Sequence, residues 1–264
     1  MLKRREFLQA STAASCLLGT SALAVAAEDS AGDAAGGRDY YEHRIYQLPD
    51  VGKRELVGDY LRNAMLPALR RLGIGPVGVF TELGDAPTPS IHVLITYPTL
   101  EKFAGARFAM EADPEYQAAA ADYLGADPND PAFGRIRSSL LVAFSGMPRH
   151  AMPESKPGVL EWRVYESASE SRSRRKIEMF NNGEIPIFAE AGFTPVLFGE
   201  MLVGPRIPCL CYLLASPDMQ AHEAHWAAFQ QHPAWLAMKD LPEYRMTVSK
   251  LSNTFWAPTD YSEI

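Results

Sequence analysis

Cysteine is scarce in this sequence: there are three, of which Cys16 falls in the N-terminal leader, leaving Cys209 and Cys211. Two thiols on one short strand build no disulfide framework, so stability must come from buried apolar surface. A basic excess is also missing. Lys and Arg number 25 against 32 Asp and Glu, for a formal charge of −7. That balance argues against nucleic acid, or an anionic membrane, drawn in by long-range attraction. Glycine-rich phosphate loops, a nucleophile elbow, an HExxH pattern and carboxylate clusters at metal spacing are all absent. What remains is an ordinary globular composition, 47% hydrophobic and 22% charged over 264 residues, enough for one large domain or two of usual size.

The N-terminus reads as an address. Lys3-Arg4-Arg5-Glu6-Phe7-Leu8 places twin arginines ahead of Phe-Leu, the pattern of the twin-arginine export route. The stretch from Ala10 to Ala27 is too short and weakly apolar for a lasting span, and Ala22-Leu23-Ala24 or Ala24-Val25-Ala26 offers a cleavage site. Residues 1–27 are therefore expected to be a signal peptide, and the chain a periplasmic or otherwise exported protein with no stable membrane insertion after cleavage. That route carries folded proteins, some with a cofactor inside. It leaves a prosthetic group open without requiring one, and none is expected here. Residues 28–39, rich in Ala, Gly and Asp, read as a flexible leader.

The dominant feature beyond the leader is a duplication. Residues 41 to 118 align without a gap on 160 to 237. Glu42-x-Arg44-x-Tyr46 returns as Glu161-x-Arg163-x-Tyr165, and Asn63, Pro67, Gly73 and Pro76 return as Asn182, Pro186, Gly192 and Pro195. Prolines and glycines restrict or relax φ most strongly, so their recurrence means the same backbone path is built twice.

Each copy reads as strand, helix, strand, strand, helix, strand. Alternation marks strands at Tyr41–Tyr46, Gly75–Leu83, Ile91–Tyr97 and Ser139–Phe144, and again at Val159–Tyr165, Pro195–Val203, Cys209–Ala215 and Met246–Leu251. Helical spacing predicts helices over Lys53–Leu72, Leu100–Leu124, Arg172–Ala191 and Met219–Lys239, kinked near Pro67 and Pro186 and broken near Asp113-Pro114. The expected domains are 40–146 and 159–255, with a proline-rich linker at 147–158 and a C-terminal tail at 256–264. A βαββαβ order is the ferredoxin-like arrangement, which covers one sheet face with helices and leaves the other bare. The bare apolar faces are most simply buried against each other. The fold class is thus α+β, two tandem ferredoxin-like units forming a pseudo-dimeric barrel.

The repeated Glu-x-Arg-x-Tyr strand, with the aromatic-rich helix ending His232-Pro233-Ala234-Trp235, resembles the NIPSNAP family over essentially residues 40 to 255. The resemblance implies the dimeric α/β-barrel architecture. It implies little chemistry, because no catalytic residues are established for that family. Related barrels include cofactor-free monooxygenases, haem-handling enzymes, muconolactone isomerase-like proteins and binding modules, and fold does not choose among them. Eukaryotic relatives are mitochondrial, a role the export signal makes unsuitable to transfer.

Glu42, Arg44 and Tyr46, with Glu161, Arg163 and Tyr165, are the leading ligand-binding candidates. Alternation puts each triplet on one strand face, opposite Leu160, Trp162 and Val164 in the second copy. With the apolar residues assigned to the layer beneath the helices, both triplets are expected to face the space between the sheets, an arginine pairing with a ligand carboxylate. The bland alternative is two internal ion pairs that set register. His92 is a weaker catalytic candidate, as an acid or base. No metal is expected. His222 and His225, with His232 further along, share a helical arc that could hold one, but the first copy has nothing equivalent. Trp162, Trp226, Trp235 and Trp256 either line an aromatic pocket or build core.

Three functional readings stay open. The first is a binder of a small apolar or aromatic ligand in the barrel. The second is a cofactor-free or haem-assisted oxygenase- or isomerase-like enzyme. The third is an interaction module with a solid barrel. A homo-oligomer is compatible with each.

Overall fold

A computed structural model describes residues 37–84 and 88–264. The expected signal peptide and most of the leader lie outside the described residues.

Eight strands close into a barrel in the order β1-β3-β2-β8-β5-β7-β6-β4. The first half supplies β1 (Tyr40–Gln47), β2 (Val77–Glu82), β3 (Ser90–Tyr97) and β4 (Arg135–Ala143). The second supplies β5 (Val159–Glu166), β6 (Thr194–Val203), β7 (Cys209–Ser216) and β8 (Lys250–Pro258). Within each half the opening strand is central: β1 lies between β3 and β4, and β5 between β7 and β8. The halves join edge to edge through β2–β8 and β4–β6, both antiparallel. Closure satisfies strand edges that two separate sheets would leave open. No helix among the described residues is long and apolar enough to cross a membrane.

Helices cover the outside. In the first half these are α1 (Lys53–Tyr60), α2 (Leu66–Arg71), α3 (Leu100–Glu111), α4 (Pro114–Ala119) and α5 (Ala121–Leu124). In the second they are α6 (Glu170–Met179), α7 (Ile185–Glu190), α8 (Met219–Gln231) and α9 (Pro233–Met238). The kinks expected at Pro67 and Pro186 are π-helical turns, Leu61–Met65 and Phe180–Glu184, each followed by a restart with proline in the first turn. A proline lacks the N–H that the preceding turn would use, and the wider turn absorbs the loss. Asp113 and His232, at equivalent positions, both cap the helix restarting at the next proline, through Glu115 N at 2.9 Å and Ala234 N at 3.3 Å.

The final strand departs from expectation. It runs Lys250–Pro258 rather than Met246–Leu251, because the chain first makes a short 3₁₀ turn at Pro242–Tyr244 and passes Met246 with φ at 54°. Trp256 is consequently a barrel residue, paired with Glu82 and Leu160, and not part of a tail. The last residues continue along β2: Thr259 N donates to Val79 O at 2.9 Å and Glu263 N to Val77 O at 3.0 Å, while Ile264 is buried inside the barrel.

The described residues form three cores. Tyr46, Leu61, Met65, Val93 and Tyr97 build the one beneath the first-half helices. Phe180, Phe188, Phe198, Tyr212 and Phe229 build its second-half counterpart. The third fills the barrel with Tyr41, Phe80, Leu94, Leu160, Trp162, Val164, Cys211, Leu213 and Trp256. Trp162 and Trp256 stack there with centroids 5.3 Å apart and planes 15° apart. At about 1.5–3 kcal/mol for each large side chain removed from water, these layers supply the main driving force for closure.

Candidate functional site

The two Glu-Arg-Tyr triplets face the helices and not the space between the sheets, which corrects their expected orientation. Leu160, Trp162 and Val164 are the side chains that fill the barrel. Alternation separates the two sets correctly but carries no label for inside and outside. The choice follows from solvation. The middle of a closed barrel offers a guanidinium no path to water, whereas the helix-covered layer is open at its rim. There Arg44 and Arg163 keep 20% and 13% of their side chains exposed.

In the first half the triplet closes on itself. Glu42 accepts from Arg44 Nε at 2.5 Å, Tyr97 OH at 2.9 Å and Ser138 Oγ at 2.7 Å. Tyr46 OH is buried against Met65 Sδ at 3.8 Å. This is the ion-paired, register-setting arrangement.

The second half uses the same triplet differently. Glu161 accepts from Arg163 Nη1 at 2.6 Å, Trp226 Nε1 at 2.8 Å and Asn253 Nδ2 at 2.7 Å, with His222 Nε2 at 3.3 Å. Three hydrogen bonds thus hold this buried carboxylate, which makes it a cross-link between β5, α8 and β8. Arg163 and Tyr165 instead line a cleft of about 450 Å³ between sheet and helices, with Lys176, Glu184, Trp226, Phe229 and Trp235. The Arg163 guanidinium lies 4.4 Å from the Trp226 ring centroid, and Nη2 donates to Tyr165 OH at 3.2 Å. Its Nε is buried and has no hydrogen-bond partner among the described residues. Burial opposes the Arg163 charge, but Tyr212, Tyr165 and Glu161 hold it above the ordinary guanidinium value.

Deeper in the cleft, Lys176 Nζ donates to Glu184 Oε2 at 2.7 Å, both side chains being almost wholly buried. Burial raises the Glu184 carboxyl above its usual range, with the Lys176 ammonium opposing. The equivalent first-half positions are Val57 and Met65, both core residues. Charges at core positions of one repeat but not the other were the sequence signal for this cleft, and reading the triplets alone misses it.

The remaining candidates are dispersed. His222 meets Glu161, His225 Nδ1 lies 3.2 Å from Ser216 Oγ, and His232 Nε2 lies 2.9 Å from Glu190. The helix thus sends each histidine to a different neighbour, and no group of three or more His, Cys, Asp or Glu gathers at one point among the described residues. Cys209 and Cys211 are free and buried on the inner face of β7.

His92 does face the inside of the barrel. Its Nε2 lies 2.7 Å from Glu82 Oε1 and 3.2 Å from Ser90 Oγ, and its Nδ1 lies 3.0 Å from His43 Nε2. His43 shares the barrel-facing side of β1 with Tyr41, one residue out of step with the triplet, where no motif marks it. Both histidines line a cavity of about 310 Å³ at the barrel end bearing the β2–β3 and β6–β7 connections.

A closed eight-stranded barrel of two βαββαβ halves, with helices outside, defines a dimeric α/β-barrel protein in which one chain supplies both halves. Solved structures agree with that class. A candidate monooxygenase from Fusobacterium nucleatum subsp. nucleatum superposes with a TM-score of 0.56 at 11% identity, over 84% of this chain and 93% of its own. A second candidate monooxygenase, from Lactobacillus acidophilus, gives 0.51 at 9% identity, over 84% and 94%. At these identities the likeness is one of fold. No curated protein gives a significant match. The NIPSNAP family model matches residues 41–127 and 160–263, one stretch on each half of the barrel, and the chain belongs to the NIPSNAP family.

Proposed function

We propose that this chain is an exported binding protein that holds a small aromatic compound bearing an anionic group, in the cleft between β5 and the second-half helices. The observation carrying this reading is the unsatisfied, buried Nε of Arg163 in a cleft walled by Trp226, Phe229 and Trp235. A buried donor without a partner costs about 1–3 kcal/mol, and a ligand carboxylate that the guanidinium turns to meet would recover it. The aromatic walls favour a flat apolar body. The barrel interior is packed through its middle, so the ligand site moves from the barrel to the helix side. Export rests on the twin-arginine leader.

Titration of the mature protein with indole-3-acetate and with its neutral counterpart indole-3-ethanol, followed by tryptophan fluorescence and native mass spectrometry, tests this. The acid is expected to bind at least tenfold more tightly than the alcohol, and Arg163→Gln to remove that preference. Equal binding of acid and alcohol, or equal binding by the variant, contradicts the reading.

A further inference from the structure

The barrel-end cavity carries a second site, built from residues that the cleft does not use. It is lined by His43, His92, Glu82, Arg137, Arg206, Ser139, Trp162 and Thr254, among others. Its polar groups form a chain whose proton positions follow from the acceptor at one end. A carboxylate only accepts, so Glu82 requires the proton of His92 on Nε2, 2.7 Å away. Neutral His92 then has a lone pair on Nδ1, which must accept from His43 Nε2 at 3.0 Å. This leaves the lone pair of His43 on Nδ1, which has no protein partner among the described residues.

The surroundings hold that arrangement. His43 packs between Trp162, at 4.8 Å between centroids, and Trp256, at 5.2 Å, so its ring cannot turn freely. Burial, reinforced by His92 and Arg206, keeps His43 well below the usual histidine range, and the hydrogen bond from His92 lowers Glu82. Both directions favour an ionised Glu82 and an unprotonated His43 near neutral pH. Glu82 keeps 23% of its side chain exposed, which connects the chain to solvent. Arg137 and Arg206 line the same space, Arg206 Nη1 donating to Ser252 Oγ at 2.9 Å and lying 3.8 Å from Glu166, and the titratable and charged groups lining it are these five.

We infer that the barrel end is a general-base site for a small enolisable carboxylate, a 2-oxo acid being the simplest, with His43 as base and the two arginines holding the anion. The size fits, since about 310 Å³ lies at the lower end of the ~300–1,000 Å³ range of small-molecule sites. In the step, His43 Nδ1 takes a proton from the carbon beside the carbonyl. The C–H electron pair becomes the enolate double bond, and the carbonyl pair moves onto oxygen, where an arginine stabilises it. The Nε2 proton of His43 passes to His92 Nδ1 and the Nε2 proton of His92 to Glu82, which exchanges with water. The proton taken from carbon stays on His43 Nδ1, where it exchanges with water at the cavity while the enolate is held; reversal then returns a solvent-derived proton to carbon, with no oxidant, reductant or leaving group. His43 is the catalytic residue; His92 and Glu82 are positioning residues.

The experiment incubates mature protein with 2-oxobutyrate and with 2-oxoglutarate in D₂O and follows loss of the C3 proton signals by NMR. Imidazole ¹⁵N spectra of the same sample report the tautomers. Exchange above buffer is expected, falling at least tenfold in His43→Phe and in Glu82→Gln, with Arg206→Gln raising the half-saturating concentration at least fivefold. The free protein should show His43 protonated on Nε2 alone. If His43→Phe does not fold, Glu82→Gln and the ¹⁵N spectra still decide. Wild-type exchange that persists in the variants, a His43 proton on Nδ1, or no exchange with either acid overturns the proposal. Failure of indole-3-acetate binding in the Arg163 cleft leaves this result untouched, because the two cavities share no residue.

Discussion

His43 Nε2 and His92 Nδ1 stand 3.0 Å apart, with the rings 20° from parallel, beside the apolar core that fills the barrel. The pair makes stability depend on pH. Burial first, then the neighbouring His92 and the Arg206 charge, hold His43 well below 6.5. Below that pH the unfolded chain takes up a proton that the native chain refuses, so stability is full above it and lost as pH falls. The slope approaches ~1.4 kcal/mol per pH unit for one such group. His222 is shifted in the same direction, mainly by burial, and adds to the effect. Urea unfolding between pH 7.5 and 5 should show this decline, reduced by about one proton in His43→Phe. An unchanged slope in that variant contradicts the assignment.

Glu161 makes a second case. It receives bonds from Arg163, Trp226 and Asn253, all of 2.8 Å or less, and is 1% exposed. Glu161→Ala strips three buried donors of their acceptor and leaves a guanidinium unpaired, and should cost about 3–5 kcal/mol. Glu161→Gln should fall between, since its amide turns one accepting oxygen into a donor. A loss below ~1 kcal/mol in urea titration, the range of an exposed pair, argues against the cross-link.

The Lys176–Glu184 pair should behave non-additively. Removing one partner, as in Lys176→Val, strands a buried carboxylate and is expected to cost about 3 kcal/mol or more. The double variant Lys176→Val/Glu184→Met installs the residues found at the equivalent first-half positions and is expected to be near neutral or stabilising. A double-mutant cycle by denaturation measures the coupling directly. Two independent, additive losses would mean that the two side chains are not coupled.

Equivalent glycines should respond unequally. Gly73 and Gly192 both follow a helix with positive φ, 66° and 102°. An added Cβ at Gly73 meets open space, whereas at Gly192 it falls 2.6 Å from His225 Cδ2. Gly73→Ala should cost only the backbone strain, about 1–2 kcal/mol. Gly192→Ala should cost more and displace His225 from Ser216. Thermal melts of the two variants side by side test the ranking.

Most of the fold was legible in the chain. Period-two alternation, helical spacing and prolines recurring at one interval define two βαββαβ units, and two bare apolar faces need each other. The twin arginines and the triplets are likewise properties of the sequence alone. The last strand was misplaced because its start follows an irregular turn at Met246 that the first half does not repeat. Tertiary structure alone decided which face of β1 and β5 lies inside the barrel, since both faces are buried and alternation is symmetric between them. It alone also brought His43, His92 and Glu82 into one chain and turned the second triplet into the wall of a cleft. Residues far apart in sequence meet only when the barrel closes, and no local pattern encodes that distance.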